Sequence, residues 1–389
     1  MISATEQIKK KHKTKVLFVI ESLAGGGAEK VLATLVKLID KEKFHISVCT
    51  VVDTGVYVDE VKQHADTYTS ILGNPDRMGF VRKLWYKIMY KLVYHVLPMR
   101  LLYTLYIPHH TDVEVAFIEG FVTKMMAVSS NSRAKKIAWV HTDFENNHWT
   151  LPIYGNLSIE AESYYQFDAV VGVSSQVTLA AKKLFHLREA ITLHNPIDKK
   201  EIWEQAQTDK HLPLSPGIRL VSVGRFVPLK AYMRLLHIVK KLREQGYPVE
   251  LWLLGEGEER ANYEKYISEY ELDDVVTLWG FERNPYPYIK ASSLYVCSSE
   301  YEGYSTAVHE ALIVGIPVVS TDVSGADELL HHGECGLITA NDEESLYEGL
   351  KSLLNCPEKL DQYKSNISRY YGQEVPNNPM ETIASVLVS

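Results

Sequence analysis

Cysteine is scarce and scattered in this sequence. Cys49, Cys297, Cys335 and Cys356 form no C-x-x-C pair, which sets aside the common zinc and redox spacings and leaves reduced structural thiols. Long apolar runs are also missing. Val16–Ile20 is too short for a membrane span or a signal-peptide core, and no cleavage site follows it. No Asp-x-Asp follows a predicted strand, so no carboxylate pair in that pattern is available to a divalent cation; no metal and no bound cofactor are expected. A net charge of −8 argues against a general nucleic-acid binder. What is present, 389 residues with 46% apolar and 23% charged side chains, is enough for two or three domains with sizeable cores. The charge is divided unevenly. Residues 1–200 carry 25 Lys+Arg against 20 Asp+Glu, and the remainder 16 against 29, so the first half suits an anionic surface or substrate.

The chain opens with a polar tail through Lys9–Lys15. Val16–Ile20 reads as a buried strand, Glu21–Gly27 as a glycine-rich loop, and Ala28–Ile39 as a helix with one apolar face. This is the start of a Rossmann-like unit. Gly25 and Gly27 fit the first two glycines of a dinucleotide fingerprint, but Lys30 stands at the third and Asp53 comes late, which argues against a nicotinamide-dependent oxidoreductase. Val113–Ile118, Lys136–Val140 and Phe167–Val173 read as further strands, and His141 lies just beyond the second of them. A linker is expected within Gln207–Pro216. The theme then restarts: strand Arg219–Val223, a loop from Gly224 and Arg225 to Lys230, and a helix over Met233–Leu242. Two α/β halves facing a cleft follow from this repetition. Arg225 and Lys230, five apart across a loop at a helix start, can reach one diphosphate. The ordinary alternative is two surface cations.

Ser298–Ser320 reads as loop, helix, stop and strand. Thr306 is the expected N-cap, and Gly315 and Pro317 end the helix. Gly303 permits close backbone approach, and the helix start attracts an anion. Glu302 and Glu310 can face one bound molecule and accept hydrogen bonds from sugar hydroxyls. Phosphate and sugar together suggest a nucleotide sugar.

Glu302 and Glu310, within EGYSTAVHEAL and followed by GIPVV, resemble the E-x7-E signature of family 4 retaining glycosyltransferases. The loop Gly25–Glu29 (GGGAE), Trp139-Val140-His141, Asn195-Pro196-Ile197-Asp198, Gly224-Arg225 with Lys230, and Gly255-Glu256-Gly257 extend the resemblance over most of residues 15–355. It implies the α/β GT-B fold: an acceptor-binding domain over 1–198, a nucleotide-sugar domain over 199–370, and a final helix within 371–389 crossing back to the first. It further implies that Gly26 and Gly27 lie beside the donor phosphate, with Gly224, Arg225, Lys230, Gly255, Gly303, Tyr304, Ser305 and Thr306 also on the donor. Phe281 lies by the base, Glu310 on ribose, and Glu302 and His141 on the transferred sugar. His141, Arg225, Lys230 and Glu302 are the catalytic set. The family pattern G-R-x4-K-G has Ala231 in place of its last glycine. The implied reaction moves a hexosyl or N-acetylhexosaminyl group from a nucleotide-diphosphate sugar, UDP favoured over GDP, to a glycan acceptor. An inactive sugar-binding protein of the same fold is the other reading, though neither clamp nor acids are lost.

Residues 54–79 give no clear pattern. Phe80–Ile107 does: its apolar residues repeat at helical spacing, Pro98 divides it, and it holds Arg82, Lys83, Lys87, Lys91 and Arg100 without one acid. With Trp85, these cations suit an anionic membrane surface. The expectation is a cytoplasmic enzyme, peripheral on the inner face of the membrane, with a lipid-linked acceptor. Amphipathic helices packed into the first domain are the alternative.

Overall fold

A computed structural model describes residues 13–213, 217–372 and 379–388. Most of the Lys9–Lys15 tail, the end of the Gln207–Pro216 linker and part of the 371–389 segment lie outside these. Two parallel sheets dominate. The first contains β1 (Thr14–Ile20), β2 (Phe44–Val52), β3 (Thr67–Leu72), β4 (Val113–Ala116), β5 (Lys135–Val140), β6 (Ala169–Gly172) and β7 (Ile191–Thr192), in the order β3-β2-β1-β4-β5-β6-β7. The second contains β8 (Ile218–Val223), β9 (Val249–Leu254), β10 (Val276–Gly280), β11 (Leu294–Cys297), β12 (Val318–Thr321) and β13 (Gly336–Thr339), in the order β10-β9-β8-β11-β12-β13. Helices cover both faces of each sheet, so the central strands are apolar throughout rather than alternating; Val16–Ile20 is fully buried.

In both sheets the winding reverses between the first strand and its far neighbour: β1 pairs with β2 and β4, and β8 with β9 and β11. Ligands of doubly wound sheets bind beyond the carboxyl ends of strands at such a point. The glycine-rich loop follows β1. Gly224 and Arg225 follow β8, and Ser298–Ser305 follows β11.

The two halves meet through polar contacts. Ser174 Oγ donates to the Gly303 carbonyl at 2.9 Å, Ser324 Oγ to Asp143 at 2.8 Å, and the Gly325 amide to Gln176 Oε1 at 2.9 Å. Lys37, from the helix Gly27–Leu38, reaches Asp198 at 2.8 Å and Glu201 at 2.6 Å. The helix Met380–Val388 puts Met380, Ile383 and Leu387 into the first half's core, and Lys135 Nζ donates to the Val386 carbonyl at 2.6 Å.

Residues 54–79, illegible in sequence, form the helix Val58–His64, the edge strand β3 and a short turn at Pro75–Arg77. Phe80–Ile107 is two helices, Phe80–His95 and Met99–Tyr106, divided at Pro98. Val93, Leu102 and Tyr103 are buried. Tyr86, Met89 and Tyr94 of the first helix also pack against this core, but its beginning stands clear: Phe80 is 87% exposed, Val81 77% and Trp85 63%. Among the described residues no helix is long and apolar enough to cross a membrane.

Candidate active site

The loop after β11 is built by short polar contacts. Ser299 Oγ donates to Glu302 Oε1 at 2.7 Å, and Ser298 Oγ to the Lys230 carbonyl at 2.8 Å. Lys230 Nζ lies 2.5 Å from the same Glu302 oxygen. Burial works against the Lys230 charge, but Glu302 outweighs it and the pKa is raised. The two residues expected on phosphate and sugar are therefore adjacent. Lys230 reaches this place through a tight turn, Pro228–Lys230, closed by Ala231 in the left-handed conformation (φ 48°). The family pattern has glycine there, and the backbone explains why. Arg225 is exposed on the same loop.

The helix runs Thr306–Val314 with Ser305, not Thr306, as its N-cap; Ser305 Oγ accepts from the Val308 amide. The cap shifts by one residue because Ser305 holds the extended backbone that a cap needs (φ −66°, ψ 109°). Gly315 ends the helix at φ 95°.

Gly303 presses against the other half. A Cβ there would lie 1.8 Å from the His141 carbonyl oxygen, so only glycine admits this approach. His141 follows β5. Glu119, fully buried beyond β4, accepts from the His141 amide and from the Thr142 amide at 2.6 Å. Burial pushes the Glu119 carboxyl up to about 6 and the His141 imidazole down to about 3, so His141 is neutral at physiological pH. Its Nε2 is buried with no partner among the described residues.

Across the cleft, Gly27 faces Thr306: a Cβ on Gly27 would sit 3.9 Å from Thr306 Oγ1. Gly26 packs on the Glu29 carboxylate. Burial raises the Glu29 pKa, and the charge of Arg225 opposes that shift from the other half. Glu310 is ion-paired with Lys30 of the glycine-rich loop's helix. Gly255 approaches the Gly224 carbonyl so closely that a Cβ would meet it at 1.9 Å.

Residues 204–370 match the family model described as glycosyl transferases group 1. An N-acetylgalactosamine-N,N'-diacetylbacillosaminyl-diphospho-undecaprenol 4-alpha-N-acetylgalactosaminyltransferase of Campylobacter jejuni is 27% identical over 363 residues, which cover 89% of this chain and 92% of that one. The crystal structure of Anabaena HepE in complex with UDP and glucose superposes with a TM-score of 0.74 at 20% identity, covering 97% of this chain and 100% of that one. The chain is a GT-B glycosyltransferase. A shorter match, to the lipopolysaccharide core biosynthesis glycosyltransferase LpsE of Rhizobium meliloti, is 32% identical over 35% of this chain and 39% of that one.

The transferase does not bring every expected residue into one cluster. The Tyr304 ring stacks on His194, with ring centroids 5.0 Å apart, and packs against the cores of both halves. Phe281 is 57% exposed after the edge strand β10. The cations Arg82, Lys83, Lys87 and Lys91 are on the exposed helix Phe80–His95, whose Tyr94 hydroxyl donates to Glu21 at 2.8 Å, at the end of β1. Sequence reasoning missed Glu119, Lys30 and Tyr286 as site residues. Glu119 was findable by the rule that singled out His141, since it too lies just past a parallel strand.

Proposed function

We propose that this glycosyltransferase moves a hexosyl or N-acetylhexosaminyl group from a UDP-sugar to a lipid-linked glycan, with retention at the anomeric carbon, in cell-surface polysaccharide synthesis. The observation that carries the reading is the meeting of Lys230, Glu302 and the Ser305–Thr306 helix start at the end of β8 and β11, beneath the opposing Gly27. In this reading Arg225, Lys230 and the helix start take the charge growing on the departing diphosphate, the largest electrostatic task in such a reaction. Glu302 holds the sugar hydroxyls, Glu310 the ribose, and neutral His141 positions the sugar through Nε2. The bond between the anomeric carbon and the phosphate oxygen breaks with its electron pair leaving on UDP. The acceptor oxygen bonds to the same face, and its proton passes to the departing phosphate oxygen. No side chain is assigned as base, and no metal is assigned.

The UDP preference is supported by the UDP in the HepE structure, and the lipid-linked acceptor by the diphospho-undecaprenol of the Campylobacter relative's name. Attachment to the inner face of the membrane is supported by exposed Phe80, Val81, Leu84 and Trp85 beside Arg82, Lys83, Lys87 and Lys91. The test is thermal stabilisation by UDP and GDP with and without EDTA. The proposal expects UDP to stabilise more than GDP and EDTA to change nothing; stabilisation by neither nucleotide contradicts it.

A further inference from the structure

Lys30 breaks the glycine fingerprint, and the proposed chemistry gives it no part. It starts in the helix Gly27–Leu38 of the first half, yet its ammonium pairs with Glu310 of the second. It also donates to the Tyr286 hydroxyl at 3.2 Å, and that hydroxyl lies 3.4 Å from Glu310 Oε1. The Glu310 side chain is sealed at 4% exposure, whereas Lys30 keeps 28%. Burial opposes the Lys30 charge, but Glu310 and two tyrosines hold it in place.

An ionised carboxylate accepts about four hydrogen bonds and an ammonium donates three. Lys30 and Tyr286 both address Oε1 of Glu310, which fixes the carboxylate plane and leaves Oε2 to accept from neutral hydroxyls. With one donor on Glu310 and one on Tyr286, the ammonium has a third for a hydroxyl oxygen. We propose that Lys30 is a positioning residue of the nucleotide site, supplied by the opposite half: it orients Glu310 on the ribose, so that ribose recognition depends on the approach of the two halves. This rests on the assignment of Glu310 to ribose made above.

The experiment is calorimetric binding of UDP and 2′,3′-dideoxy-UDP to the wild type, Lys30→Met, Lys30→Arg and Glu310→Gln, each checked for folding by thermal melting. The wild type is expected to prefer UDP by about tenfold or more, comparable to the loss of one or two hydrogen bonds to a charged group. Lys30→Met should reduce the preference to about twofold, Lys30→Arg should keep most of it, and Lys30→Met added to Glu310→Gln should remove nothing further. A residue that merely docks the two halves would weaken both nucleotides alike and leave their ratio unchanged. If Glu310→Gln abolishes the preference and Lys30→Met keeps it, the role of Lys30 is overturned while the ribose assignment stands. If the wild type shows no preference, the ribose assignment itself falls. Lys30→Gln replaces Lys30→Met, under the same criteria, should the latter not fold.

Discussion

Replacing Gly303 by Ala adds one methyl group where the two halves touch. The backbone at 303 is not in the left-handed region, so the cost comes from contact alone. The new Cβ falls 1.8 Å from the His141 carbonyl oxygen, against 3.4 Å for ordinary contact. The loop must therefore retreat by about 1.6 Å, and neither side gives way freely. His141 is pinned through its amide by Glu119, and the Gly303 carbonyl accepts from Ser174 Oγ. Overpacking of this kind costs about 1–3 kcal/mol, and loss of the Ser174 bond adds about 1 kcal/mol. At roughly 2–4 °C per kcal/mol for a domain of this size, melting should fall by about 4–16 °C. Because the loop also carries Glu302 and the helix start, nucleotide affinity should fall with it. A differential scanning measurement with UDP titration checks both. A melting temperature within about 1 °C of wild type with unchanged affinity refutes the close contact.

Other substitutions probe separate parts of the account. His309 is buried, and burial lowers its pKa to about 3 from 6.5. The unfolded chain takes up a proton as pH falls below about 6.5 and the folded chain does not, so stability should fall by about 2 kcal/mol from this residue between pH 7 and 5. Glu119, raised to about 6, acts in the opposite sense between about pH 6 and 4.5 and offsets part of the loss. Urea unfolding at the two pH values, with His309→Gln as control, measures the slope; equal slopes in both proteins contradict it. Ala231→Gly removes the left-handed strain at φ 48° and should raise stability by about 1 kcal/mol, read as a small rise in melting temperature; a fall would mean the turn is not strained. Lys83→Glu, Lys87→Glu and Lys91→Glu together should abolish salt-sensitive sedimentation with anionic liposomes, each cation contributing about 1 kcal/mol. Undiminished binding removes the membrane reading.

Strand, loop and helix repeats were legible because doubly wound sheets bury apolar strands whole and mark each turn with glycine. The strands β1 and β8 and the loops after them lie where the residues put them. Local pattern says nothing, however, about which side chains meet from opposite halves. Lys30 was read only as a misfit in a fingerprint, since its partner Glu310 is 280 positions away. The stacking of Tyr304 on His194, 110 positions earlier, is likewise invisible in the local sequence. The edge strand β3 was missed because its burial alternates weakly, with only Ile71 and Leu72 buried. The helical spacing of Phe80–His95 was legible, while the division of its apolar residues was not: Val93, Tyr86 and Met89 pack on the first half, and Phe80, Val81, Leu84 and Trp85 stay exposed.

The central claim is that Lys230 and its neighbours expel a diphosphate from a nucleotide sugar. The direct measurement is the rate of UDP release from a panel of UDP-sugars by the wild type and by Lys230→Met, with circular dichroism confirming the fold. Lys230 touches Glu302 at 2.5 Å, so Lys230→Met with Glu302→Gln is measured beside it to separate lost charge from an unpaired acid. The account predicts turnover of at least one UDP-sugar by the wild type and a loss of roughly a hundredfold in both variants. Release at the wild-type rate by either variant would contradict it.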